Sequence, residues 1–162
     1  MSRPTDHPGV FAPPPLAAFV AVALGLALDR LLPAYILAVL VPRPARLVIG
    51  LLSILAGCGL AMAGWKAFMR SGTPVSPYRP AIALVTTGVF AYVRNPIYAG
   101  LILIVFGIGF ASASDWTLVM TVALALALHF GVVLREERYL ETTFGDAYLA
   151  YKRRVPRYGW PG

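Results

Sequence analysis

The chain has 162 residues, 59% of them apolar and 13% charged, with a formal net charge of +7. Soluble domains run near ~45–50% apolar and ~25% charged, so an ordinary water-soluble domain is excluded. One integral-membrane domain over 1–162 with about four spans fits instead, with little left outside the bilayer. Positive charge in so apolar a chain points to cytoplasmic flanks and anionic lipid rather than nucleic acid. The single cysteine, Cys58, lies in an apolar run and cannot close an intrachain disulfide.

The Pro-rich N-terminus carries Asp6 and has no clear small-residue cleavage site, so it does not read as a signal peptide. A first span is expected at about 14–30, where Pro13, Pro14 and Pro15 suit a helix start and Asp29-Arg30 closes the run. The stretch 31–41 is apolar but short and interrupted by Pro33, which suggests an interfacial or re-entrant connection. A second span is expected at about 46–69, with Trp65 and Lys66 near its end as belt aromatic and snorkelling cation. The spans 96–114 and 116–134 form a hairpin around Asp115, and Arg135-Glu136-Glu137-Arg138 follows at once.

Charge separates the connections. The loop 70–95 carries Arg70, Arg79 and Arg94, with Lys66 just before it, and the tail 135–162 carries Arg135, Arg138, Lys152, Arg153, Arg154 and Arg157. The turn around Asp115 has no Lys or Arg. The positive-inside rule then places loop, tail and both termini in the cytoplasm, against Arg30, Arg43 and Arg46 on the other side. Pro74, Pro77 and Pro80 forbid a continuous helix through the loop, which is longer than a connector needs and therefore a candidate for function.

Three polar groups can converge on that face. In Arg94-Asn95-Pro96-Ile97-Tyr98, Pro96 suits a first helical turn and Asn95 an N-cap; the helix amides would favour a ligand carboxylate, and a plain capped helix explains the residues equally. Glu136 and Glu137 can bind an ammonium, accept from ribose hydroxyls or stabilise a sulfonium, or else close a salt-bridged helix with Arg135 and Arg138. His129 lies seven residues before Glu136, on nearly the same helical face, and is either functional or bonded to a neighbouring helix. In the tail, Leu140, Phe144, Tyr148 and Tyr151 recur at helical spacing, with Gly145 as a kink, and an amphipathic basic tail would lie on anionic lipid. No Rossmann glycine fingerprint, P-loop, metal-ligand spacing or Ser-His-Asp set is present.

The ordered set Leu84-Val-Thr-Thr-Gly88, Tyr92-Val-Arg-Asn-Pro-Ile-Tyr98, Arg135-Glu-Glu-Arg-Tyr-Leu140, Phe144-Gly145, Tyr148-Leu-Ala-Tyr151-Lys and Val155-Pro resembles the integral-membrane methyltransferases. These include isoprenylcysteine carboxyl methyltransferase and the phospholipid N-methyltransferases. The resemblance implies S-adenosylmethionine as methyl donor, bound at the cytoplasmic ends of the last spans. It marks Arg94, Asn95, Pro96, Tyr98, Glu136 and Glu137 for the cofactor, followed by Tyr148, Tyr151 and Arg154. For catalysis, Glu137 or a nearby water could take the proton of an amine acceptor, and Arg154 or Arg94 could orient an anionic one. Asn95 stands where eukaryotic members commonly have His, and Val89 and Ala91 where Pro and a basic residue are frequent, which weakens any claim that position 95 acts as a base.

The expectation is therefore an all-α polytopic protein of a bacterial inner membrane, with about four transmembrane helices and a cytoplasmic helical tail. Its expected activity is methyl transfer to a lipophilic or lipid-linked acceptor, with no metal. Alternatives are phospholipid amine methylation, or a non-catalytic membrane protein or transporter on the same scaffold. Transport calls for polar residues within several spans, and these offer little beyond Ser53, Ser112, Thr117, Thr121 and His129.

Overall fold

The structure, a computed structural model, describes residues 13–72 and 83–159. Pro74, Pro77, Arg79 and Pro80 of the expected loop lie outside the described residues. Among those described there is no strand, and the chain is an all-α membrane protein. Its helices are α1 (Pro14–Leu31), α2 (Ile36–Leu40), α3 (Arg43–Ser71), α4 (Pro96–Ser112), α5 (Asp115–Leu128), α6 (Leu134–Phe144) and α7 (Asp146–Arg154). A 3-10 turn covers Gly88–Ala91, and a π-helical turn, His129–Val133, joins α5 to α6.

Proline and glycine set most boundaries. Pro14, Pro44 and Pro96 stand in the first turns of α1, α3 and α4, where a missing N–H costs nothing. Gly72, at φ 69°, ends α3, and Gly145, at φ 52°, separates α6 from α7. Among the described residues, three helical runs are long and apolar enough to cross a membrane: Pro14–Leu31, Arg43–Ser71 and Asp115–Phe144. The expected span 96–114 is the shorter apolar helix α4, whose 17 residues give ~25 Å, at the lower limit for a crossing. The helix from Asp115 does not stop at 134: it continues through the π turn to Phe144, so the start of the expected tail is the end of a span-length helix.

Helix α4 packs against α3, α5 and α1. Its contact with α3 is a seam of glycines at seven-residue spacing, running in opposite directions on the two helices. Gly50 faces Gly107, Gly57 faces Gly100, and Gly64 faces Pro96 and Ile97. A Cβ at Gly57 would stand 2.6 Å from the Gly100 carbonyl oxygen, and one at Gly100 2.6 Å from the Gly57 oxygen. Close backbone approach through small residues is the usual basis of helix association in lipid, where apolar burial gives little drive. A second contact joins α1 to α5 and the π turn through Ala18, Ala21, Leu124, Leu128 and Val132, with Val105 of α4 against them. Outward side chains such as Phe19, Leu51, Leu55, Val122 and Phe130 are exposed and meet lipid.

At the end of the bundle away from the glutamates, the lone charge of the 96–134 stretch has a structural task. The Asp115 carboxylate accepts from the Ile36 amide at 2.8 Å and the Leu37 amide at 3.0 Å, satisfying orphan donors of α2. Asp29 accepts from the Ser114 hydroxyl, and Trp116 Nε1 donates to the Leu32 carbonyl at 2.6 Å. The expected interfacial connection is thus a short helix with Tyr35 in the left-handed region, fastened to the α4–α5 turn.

Candidate functional site

The start of α4, the π turn, α6, α7 and the strap 155–159 meet at the other end. Glu137 is buried at its centre and holds two guanidinium groups. Arg157 approaches it bidentately, Nε at 2.8 Å and Nη2 at 2.7 Å, and Arg94 Nη1 lies 3.0 Å away. Forked pairing of this kind is strong and directional. Arg94 Nη1 also donates to the Tyr148 hydroxyl at 3.4 Å, while its Nε is buried with no hydrogen-bond partner among the described residues. The bond to Glu137 holds the Arg157 guanidinium above its usual range.

Glu136 is separated from that cluster. Its Oε1 accepts from the Tyr98 hydroxyl at 2.7 Å. The Tyr98 ring packs on the intramembrane core around Val105 and Leu128, so the hydroxyl sits where core and site meet.

The π turn explains the division. Neighbouring residues on a helix point about 100° apart, so the pair cannot face one partner. In a continuous α-helix, residues seven apart diverge by about 20° and residues eight apart by about 80°. A π turn closes i to i+5 rather than i to i+4 and so absorbs one extra residue. Across it, His129 and Glu137 stand as residues seven apart would, and Glu136 is turned away. The expectation that His129 shares a face with Glu136 is corrected accordingly: Glu137 shares it. Consecutive strap residues confirm this, Arg157 reaching Glu137 and the Tyr158 hydroxyl meeting His129 Nδ1 at 2.9 Å. His129 thus bonds the tail rather than a neighbouring span.

Asn95 precedes α4 as expected, but its side chain makes no cap. Its Nδ2 donates to the Arg157 carbonyl at 3.4 Å, and its backbone N–H to the same oxygen at 3.3 Å. The Arg94 N–H donates to the Pro156 carbonyl at 3.0 Å. The strap therefore engages Asn95 ahead of the helix and does not cap it. Pro96 is fully buried below it.

The tail tyrosines do not lie on lipid. Tyr148, Tyr151 and Val155 form a small core with Leu84, Leu140 and Phe144, the spacing having marked the right face but not its partner. Burial first, and the Glu137 charge second, push the Tyr148 hydroxyl up to about 12, so it stays protonated. Burial raises Tyr151 as well, and its hydroxyl donates to the Phe90 carbonyl at 2.7 Å. Arg154 is exposed on α7 with its Nε on the Ala150 carbonyl at 3.3 Å, and the structure does not bring it to the cluster. Arg157, which the motif reading did not single out, occupies that place. Sequence alone gives only an unassigned cation after Val155-Pro156.

The class these features define is a polytopic all-α membrane protein with a charged, partly buried site at one end of its bundle. The chain belongs to the phospholipid methyltransferase family, which matches residues 45–147. That range includes Arg94, Asn95, Pro96, Tyr98, Glu136 and Glu137 and stops short of Tyr148 and the strap. Cobalt-zinc-cadmium resistance protein CzcN of Cupriavidus metallidurans is 33% identical over 118 residues, 71% of this chain and 49% of that protein. Nickel-cobalt-cadmium resistance protein NccN of Alcaligenes xylosoxydans xylosoxydans is 33% identical over 116 residues, 70% of this chain and 49% of that protein. Protein-S-isoprenylcysteine O-methyltransferase of Schizosaccharomyces pombe is 35% identical over 74 residues, 45% of this chain and 31% of that protein. The chain thus spans half or less of the length of these relatives. No solved structure matches. Among the described residues, no group of three or more His, Cys, Asp or Glu side chains comes together as a metal site.

Proposed function

We propose that the chain is an S-adenosylmethionine-dependent methyltransferase working at the membrane face on a lipophilic or lipid-linked acceptor. The observation that carries this reading is the divided glutamate pair. Glu137 is saturated by two guanidinium groups, whereas Glu136 meets the neutral Tyr98 hydroxyl and keeps capacity for an ammonium or for ribose hydroxyls. The residues present fit the cofactor. Glu136 and Tyr98 would hold its cationic or hydroxyl side. The unpartnered Arg94 Nε and the start of α4, which Asn95 leaves without a side-chain cap, would hold its carboxylate.

When bound, the cofactor supplies an electrophilic methyl group on a sulfonium. The chain's own part is alignment and exclusion of water, and fixed orientation supplies much of the acceleration in such reactions. Tyr98, anchored by its ring in the core, fixes the Glu136 carboxylate. A carboxylate acceptor needs no base. With an amine acceptor the proton would pass to Glu136 rather than to Glu137, whose two oxygens are both held. A site at the bilayer surface lets a soluble cofactor and a lipophilic acceptor arrive from separate phases.

The same reading puts this face in the cytoplasm of a bacterial inner membrane, on the strength of Lys66, Arg70, Arg135, Arg138, Arg153 and Arg154. Ser114 is buried and useless as a reporter of the other face, but Val39 is 83% exposed there. In a Cys58→Ala background, Val39→Cys is expected to react with an impermeant maleimide from outside the cell and Arg154→Cys only after lysis. The reverse pattern overturns the orientation.

The direct test of the activity is calorimetry on the detergent-purified protein. Binding of S-adenosylmethionine in the micromolar range is expected, about −8 kcal/mol, followed by transfer of labelled methyl into a lipid extract. Folded protein that gives no heat and no thermal shift at millimolar cofactor would exclude the reading.

A further inference from the structure

We infer that Tyr158 is a positioning residue: its bond to His129 in the π turn clasps the strap against the helix and so sets the position of Arg157 on Glu137. Past Val155, which packs in the small core, the strap has no secondary structure of its own and is held, among the described residues, at four polar points. The Pro156 carbonyl takes the Arg94 N–H, and the Arg157 carbonyl takes the Asn95 N–H. Arg157 forks onto Glu137, and Tyr158 meets His129. Three of these points concern the segment 94–95 and the ion pair, which belong to the site described above. The fourth lies eight residues back along the helix from Glu137, roughly 12 Å by helical rise. It is no ion pair, and Tyr158 lies outside the small core of Tyr148, Tyr151 and Val155.

A bond there has a mechanical effect. Arg157 keeps 30% of its side chain exposed and would be free to leave Glu137 for solvent if only its own ion pair held it. With Tyr158 tied, the backbone on both sides of Arg157 is fixed, and the guanidinium is presented at one angle. The register of the π turn makes this possible, because it brings His129 onto the face of Glu137. Loss of the clasp frees Arg157, unbalances Glu137 and disturbs the adjoining Glu136–Tyr98 pocket. The consequence for cofactor binding rests on the function proposed above; the consequence for the strap does not.

The test compares Tyr158→Phe, His129→Leu, His129→Asn and the double variant His129→Leu/Tyr158→Phe in detergent, with two readouts. The first is the rate at which trypsin cuts after Arg157, which requires that guanidinium to be released. The second is the affinity for S-adenosylmethionine. Tyr158→Phe and His129→Leu are each expected to speed the cut and weaken the cofactor by about threefold to tenfold, the range of one hydrogen bond. The double variant is expected to be no worse than either single change. His129→Asn, whose amide oxygen stands where Nδ1 stood and can accept from the phenol, is expected to stay near wild type. Unchanged cutting in both single variants, or additive effects in the double, overturns the clasp. A wild-type protein that binds no cofactor overturns the methyltransferase reading alone, and the tryptic rates still decide the clasp.

Discussion

Glu137→Gln is expected to unfold the site end of the molecule, while Glu136→Gln leaves the fold in place and removes ligand affinity. Glu137 is almost wholly buried and holds two cations, one of them, Arg94, as buried as itself. Taking one partner from a buried pair leaves uncompensated charge and costs about 3–5 kcal/mol. Here the orphans are Arg94 and Arg157, and α7 and the strap should loosen with them. Among the described residues Glu136 bonds only the neutral Tyr98 hydroxyl, so its neutral isostere costs the fold little. Loss of a charge-assisted bond to a ligand is worth roughly 1.5–3 kcal/mol, about a tenfold to hundredfold loss of affinity. Thermal unfolding in detergent and calorimetry on both variants separate the two roles. A stable Glu137→Gln protein would show that the ion pairs are dispensable, and normal cofactor binding by Glu136→Gln would remove the observation on which the proposed function rests.

Gly57→Leu and Gly100→Leu are expected to prevent α3 and α4 from packing. At both positions the added Cβ meets a backbone carbonyl at 2.6 Å, and backbone cannot turn aside as a side chain can. Overpacking of a relaxed core costs about 1–3 kcal/mol, and the absence of any yielding group places these variants at or above the upper end. Gly59 is the control. It lies on the same helix, but an added Cβ there would have no neighbour within 4 Å. Gly59→Ala should be harmless or stabilise α3 by up to about 1 kcal/mol through helix propensity. Yield of monodisperse protein and thermal midpoint in detergent measure both. Comparable losses at Gly57 and Gly59 would mean that the seam is not the source of the effect.

The sequence discloses the elements whose cause is local. Prolines at helix starts, glycines at their ends and the apolar run lengths locate α1, α3 and α4 to within a few residues, and the start, but not the end, of the long helix from Asp115. The motif reading also brings Arg94, Glu136, Glu137, Tyr148 and Tyr151 into one neighbourhood, or within one contact of it. What it does not disclose has non-local causes. A π turn of His, Phe, Gly and two Val has no compositional signature, and without it the glutamates and His129 fall on the wrong faces. Arg157 is one of several tail cations and differs from Arg154 only in lying past the helix end, where the chain turns back. The pairing of Gly50 with Gly107 and of Gly57 with Gly100 leaves in the sequence only a seven-residue spacing on each helix. That spacing has meaning only once the helices are set antiparallel. Asn95 has the right residue type for a cap, yet the strap claims its side chain.

The two ends of the bundle are fastened in different ways. At the end near Asp115, spans are tied directly to one another by bonds that link residues 29 and 32 to 114 and 116, and residues 36 and 37 to 115. At the opposite end the Tyr98–Glu136 and Arg94–Glu137 bonds join the start of α4 to α6, and Tyr148 and Tyr151 tie α7 to Arg94 and Phe90. The strap closes over them through Glu137 and His129. The bundle is built like a pair of tongs, pivoted at the distal turn and held shut by a removable band. Opening should therefore be graded along its length. Amide exchange is expected to be slowest around 114–117 and to quicken toward 129–137, and any adjustment to an incoming molecule is confined to the end where that molecule would arrive.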